Sequence, residues 1–236
     1  MKIAAFAAIL AAGTLAAGAA GAAQVFNVEV WLQGAVPSAT NLADAAHVPG
    51  GPASVTFNWT GAINWSDTSP QNNTSAGGKA GDLLDGNATQ LSNYATTVAG
   101  LTLNDFLNRS LTIAGDSYTT FFRISTDYTS ASAISGSFTH DDGATIYVDG
   151  IFAGGSPGET TAITQSFLLP GGGGVHTLDA YYVTGNGTPS ILSFNPGVTT
   201  FSGGVPEPAT WALMITGFGA AGAMLRRNRA TRLVQA

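Results

Sequence analysis

The residue pattern predicts an all-β fold, an antiparallel sandwich of jelly-roll-like form occupying residues 24–201. Three observations carry this. Only 9% of the 236 residues are charged, and glycine occurs 31 times. Helix-forming Lys, Glu and Arg are scarce, while Thr, Ser and Asn fill the polar positions. Short runs alternate apolar and polar residues with period two, separated by glycine-rich breaks.

Taken in order, Phe26, Val28 and Val30 share one face of the first run, and Val55, Phe57 and Trp59 share one face of the second. Runs at Tyr118–Ile124, Ile134–Thr139, Ala144–Asp149 and Ala162–Leu169 follow. In Val175–Val183, Leu178, Ala180 and Tyr182 lie on one face, with Thr177, Asp179 and Tyr181 on the other. Ser190–Phe194 closes the series. Thr60–Asn87, rich in Gly, Asn, Ser and Asp, reads as a long surface loop. Leu101–Leu107 reads as a short helix, with Thr102 as cap and Asp105 three residues later. Asp149-Gly150 reads as a hairpin turn.

Both ends carry signals for export. Residues 1–23 have a lysine start, an apolar Ala/Leu/Ile run and small residues at Gly21-Ala22-Ala23, which is the order of a secretory signal peptide. Residues 202–208 form a linker ending in Pro206-Glu207-Pro208. Residues 209–225 contain no charge and, as a helix, rise about 25 Å, near the lower limit for a bilayer core. Arg226, Arg227 and Arg229 follow in the basic tail 226–236, which the positive-inside rule keeps cytoplasmic. The prolines break helix and present an extended strand to a processing enzyme. This order of triplet, apolar span and arginines resembles the PEP-CTERM family of exported bacterial proteins. The resemblance implies an exosortase-type partner acting on the triplet, transient residence at the inner membrane, and a final place at the cell surface or in a biofilm or exopolysaccharide matrix.

Between Gln24 and Val205 there are thirteen acidic side chains and three basic ones, a net charge of −10. Such a body is a poor partner for nucleic acid and attracts divalent cations. The chain has no cysteine, so neither disulfides nor thiolate chemistry are available.

Asp141-Asp142-Gly143 follows one strand run directly. Adjacent carboxylates repel one another unless a positive group stands beside them, and calcium accepts six to eight oxygen ligands. The same three residues also suit a plain turn, with the carboxylates capping backbone N–H groups. Asp141-Asp142-Gly143, Asp149-Gly150 and Gly174 to Tyr182 together resemble the protective-antigen-type module, over residues of about 118–196. That resemblance implies a lectin-like β-sandwich in which Asp141 and Asp142 bind calcium and Asn186 completes the site. A glycan would then take the remaining calcium positions.

Enzymatic readings have little support. His47, His140 and His176 are scattered, and His140, at a strand end, reads as solvated. There is no Gly-x-Ser-x-Gly elbow and no Walker lysine beside Gly171–Gly174. Glu29 and Glu159 are the only glutamates of the body, which disfavours a glycosidase pair. A calcium-dependent glycan-binding module, a structural matrix protein without a ligand, and an extracellular carbohydrate-active hydrolase are the three functions in contention, the first leading.

Overall fold

A computed structural model describes residues 24–32, 42–68, 78–84, 88–112, 119–185 and 187–195, and the isolated positions 216 and 218. The signal peptide, the linker with Pro206-Glu207-Pro208, the arginines Arg226, Arg227 and Arg229, and Asn186 lie outside the described residues. So does the apolar span, apart from Thr216 and Phe218, which are helical and exposed. Among the described residues no helix is long and apolar enough to cross a membrane.

Among the described residues eleven strands form two antiparallel sheets. The first five are β1 (Val25–Leu32), β2 (Val55–Thr60), β3 (Ile63–Asp67), β4 (Leu91–Thr96) and β5 (Thr120–Thr129). The rest are β6 (Ile134–Asp141), β7 (Ala144–Val148), β8 (Ile151–Ser156), β9 (Ile163–Leu169), β10 (Val175–Thr184) and β11 (Ser190–Asn195). A seven-stranded sheet runs β4-β2-β1-β5-β10-β7-β8, and a four-stranded sheet runs β3-β11-β6-β9. Helices are short: α1 (Ala80–Leu83) and α2 (Leu103–Leu107).

The period-two pattern decides which faces meet. Val55, Phe57 and Trp59 of β2 are buried, and so are Phe26, Val28 and Val30 of β1. Their counterparts on the small sheet are Ile63, Trp65, Phe138, Phe167, Leu192 and Phe194. Aromatic pairs bridge the layers. Trp59 meets Trp65 edge-on at 5.4 Å, Phe26 meets Phe194 edge-on at 6.5 Å, and Trp65 lies 6.0 Å from Phe122. Large buried side chains of this kind supply most of the driving force in a fold without disulfides.

One reading of the sequence needs correction here. Thr60–Asn87 is not simply a loop. It contains β3, whose Ile63, Trp65 and Asp67 alternate inward, and α1, which buries Ala80 and Leu83. The apolar alternation there is only five residues long, and polar composition around it hides it. In β10 both faces are covered. Leu178 and Tyr182 face the core, while Tyr181 and Val183 join Trp31, Phe121, Ala43 and Ala53 in a second cluster on the outer face. Residues 42–54 supply that cover, through Ala43 and Ala53 with Val48 packed against them.

The predicted helix and turn are present. Thr102 accepts the Asp105 N–H while the Asp105 carboxylate accepts the Thr102 N–H, a reciprocal capping box on α2. Asp149 and Gly150 have φ of 51° and 77°, both left-handed, as a two-residue turn joining twisted antiparallel strands requires.

Candidate functional site

Three chain crossings between the sheets gather at one end of the sandwich. β6 of the small sheet passes to β7 of the large one through Asp142-Gly143. β8 returns to β9 through residues 157–162, and β10 passes to β11 through residues 185–189. Register brings them together, since Tyr182 stands opposite Ala144 and Ile191 stands opposite Asp141.

Asp141 and Asp142 are 6% and 5% exposed. The peptide bond between them is cis. Asp142 Oδ2 accepts the Gly185 N–H at 2.7 Å, which ties this loop directly to the 185–189 crossing. The Asp142 carbonyl accepts from Thr160 Oγ1 at 3.1 Å, and the Asp141 carbonyl accepts from Tyr182 Oη at 2.7 Å. Gly187 N donates to Thr112 Oγ1 at 2.8 Å, and Thr184 Oγ1 donates to the Leu111 carbonyl at 3.0 Å. The predicted partner Asn186 sits in sequence between these two anchored glycines, itself outside the described residues.

Gly143 is required by close packing. A methyl group there would collide with the carbonyl oxygen of Pro157. Gly185 has more room. A methyl group there would lie 3.6 Å from Asp142 Oδ2 and 3.8 Å from Glu159 Oε1. Glu159 is thus a further carboxylate beside the loop, not anticipated in this role. Spacing could not reveal it, because eighteen positions and two strands separate Asp141 from Glu159.

His140 contradicts its sequence reading. It is wholly buried, on the core face of β6, and stacks on Phe138 at 5.0 Å. Its Nδ1 lies 2.6 Å from the Asp142 carbonyl oxygen, and its Nε2 lies 2.8 Å from Gln165 Oε1. A carbonyl oxygen can only accept, so Nδ1 carries a proton and the ring braces the Asp142 backbone.

Burial pushes the Asp141 carboxyl up from its ordinary value, against the lowering effects of a backbone hydrogen bond from Ala162 and of nearby His140. Burial also raises the Tyr182 hydroxyl well above its usual range, helped by the charges of Asp142 and Asp141. Buried carboxylates carry a desolvation cost that a bound cation offsets. The donors at this end are carboxylate, carbonyl and hydroxyl oxygens, the set a hard cation prefers. Among the described residues no group of three His, Cys, Asp or Glu is arranged to hold a metal. Calcium does not need such a group, since it also takes backbone carbonyl and amide oxygens. The residues present therefore fit a hard divalent cation and do not fit zinc.

The other predicted features lie elsewhere. Asp149 is at the opposite end of β7, where it accepts from the Thr177 N–H at 2.9 Å and pairs with His176 Nδ1 at 2.7 Å. Glu29, on the outer face of the large sheet, is bound by Arg123 at 3.2 Å. His47 pairs with Asp44 in a surface turn.

No family model matches the chain, and no curated protein matches it. Similar solved structures include a PA14 sugar-binding domain from an RTX adhesin, 20% identical, with a TM-score of 0.48 over 72% of this chain and 88% of that one. The PA14 domain of the antifreeze protein MpAFP is 15% identical, with a TM-score of 0.45 over 72% of this chain and 80% of that one. The epithelial adhesin 6 A domain from Candida glabrata, in complex with Galb1-3GlcNAc, is 12% identical, with a TM-score of 0.39 over 77% and 85%.

Proposed function

We propose that this chain is an exported, exosortase-sorted surface or matrix protein whose sandwich binds glycans through calcium held by Asp141, Asp142 and Asn186. The observation that supports the calcium reading best is the pair of adjacent carboxylates, both almost fully buried where three crossings meet. Burial raises the proton affinity of Asp141, and a divalent cation would replace that proton. When bound, calcium would supply open coordination positions for a vicinal pair of sugar hydroxyls. The chain's own part is to fix the ligands. His140 and Thr160 hold the Asp142 backbone, Tyr182 holds that of Asp141, and Gly185 orients the Asp142 carboxylate.

Export and sorting rest on the sequence of the two ends. The signal peptide directs the body across the inner membrane, and the span at 209–225 with Arg226, Arg227 and Arg229 holds it there. An exosortase acts at Pro206-Glu207-Pro208, and the body reaches the surface or matrix. Replacing that triplet with alanines should leave the tail attached, read as an intact mass in the membrane fraction. Release of the variant at the wild-type rate would refute this step.

A second reading has a specific observation in its favour. Asp142 Oδ2 already accepts the Gly185 N–H, as a purely structural loop cap would. The chain would then be a structural matrix protein without a ligand. A glycan array probed with and without calcium separates the two. Calcium-dependent binding that both Asp141→Asn and Asp142→Asn abolish supports the glycan reading. An array that stays blank with calcium present supports the structural one.

A further inference from the structure

The outer face of the seven-stranded sheet is divided. One half, around Trp31, Phe121 and Tyr181, is covered by residues 42–54. The other half has no covering segment among the described residues. Directly opposed residues project to the same side of a sheet, so register defines what this open half presents. Asn58, Asn27, Ser125, Asp179, Tyr147 and Phe152 stand opposite one another in one row, across β2, β1, β5, β10, β7 and β8. At the usual strand spacing that row is roughly 24 Å long.

The row has two chemical parts. Its β7–β8 end is aromatic. Phe152 is 53% exposed and meets Tyr147 edge-on at 5.7 Å, while Tyr147 is half-buried and marks the border with the covered half, meeting Tyr181 at 5.5 Å. The remainder is polar and pinned. Arg123, in the adjoining row between Glu29 and Tyr181, reaches over to donate from Nε to Asp179 Oδ1 at 3.0 Å and from Nη1 to Glu29 Oε2 at 3.2 Å. Asn27 is exposed, Ser125 and Asn58 are half-buried, and Asp179 is buried beneath Arg123.

We infer that this open half is a second carbohydrate-contact surface, independent of the crossing-loop site, and that it takes an uncharged polysaccharide chain. Charge argues for the occupant. The local ion triad is one guanidinium between two carboxylates, on a body of net charge −10. Polyanions are repelled from such a face. An apolar protein partner would bury amides, carboxylates and a guanidinium without matching them. A neutral glycan matches both parts, with hydroxyls for the fixed polar groups and the C–H face of a pyranose for the aromatic rings. The row runs perpendicular to the strands, so a linear chain can cross several of them.

The test is affinity gel electrophoresis of the full chain in dextran, galactomannan and a soluble β-glucan, all with excess chelator. The chelator silences any cation-dependent site, so this result does not depend on the calcium reading. At least one polysaccharide should retard the wild type. Phe152→Ala and Asn27→Ala should each weaken that retardation, with roughly a tenfold or greater rise in apparent Kd for Phe152→Ala. Both side chains are exposed, and unchanged melting temperatures would show that the variants are folded. Absence of retardation by all three polymers overturns the inference, as does equal retardation of wild type and both variants. Concentration-dependent self-association lost in Phe152→Ala would also overturn it, by assigning the face to a second copy of the chain.

Discussion

Gly143 and Asp149 show how single residues constrain the two ends of the sandwich. Any side chain at Gly143 must displace Pro157, whose carbonyl oxygen in turn accepts the Ala43 N–H at 2.9 Å. Gly143→Ala is expected to cost about 1–3 kcal/mol by overpacking and to weaken cation binding at the same time. Urea denaturation and calcium titration of the variant check the two effects. Asp149 makes a pH-dependent contribution. Its carboxyl is held below the usual value by His176 and by the Thr177 N–H. A depressed folded value means stability that is present above the unfolded value of about 3.9 and is lost as pH falls through the folded one. Asp149→Asn should therefore flatten the acid limb of melting temperature against pH below about pH 4. An unchanged acid limb would contradict this role. The Asp-Gly turn was legible from the residues alone, because its chemistry is local. The burial of His140 was not, since nothing in the sequence shows that the strand end is roofed by Asp142 and Gln165.

At the scale of elements, local signals were read well and non-local cover was not. The capping box of α2 needs only Thr102 and Asp105, and both were identifiable. Thr102→Ala should cost about 0.5–2 kcal/mol, read by chemical denaturation, and an effect near zero would mean that packing alone holds the helix. β8 escaped sequence reading because Ile151–Ser156 contains Gly154 and Gly155, which look like a break. The structure explains them by close approach. A methyl at Gly154 would lie 2.7 Å from the Ser166 carbonyl of β9, so the edges of the two sheets nearly touch there. β4 was missed because Leu91-Ser92-Asn93-Tyr94-Ala95-Thr96 has no apolar alternation to read, and only Leu91 of the six is buried.

For the whole molecule, the aromatic core stands in for the absent disulfides. Phe138, 2% exposed, contacts both His140 and Phe167. Phe138→Ala is expected to cost about 3–5 kcal/mol, with the crossing-loop site loosened through His140. Composition and period two made the all-β class legible across the chain. The site was only half legible. Asp141 and Asp142 stand out as neighbours in sequence, whereas Tyr182 is brought to them by the β10–β7 register and Thr160, Gly185 and Glu159 by the crossings between sheets. A ligand that binds only the folded state stabilises it, so calcium at a hundred times its Kd should add about 2.7 kcal/mol to stability.

Calorimetric titration of calcium into residues 24–204, beside Asp142→Asn, tests the central claim most directly. Saturable heat in the micromolar to millimolar range is expected for the wild type and none for the variant. Absence of heat from the folded wild type at millimolar calcium, or equal heats from both proteins, would contradict it and leave Asp141-Asp142-Gly143 as a structural crossing.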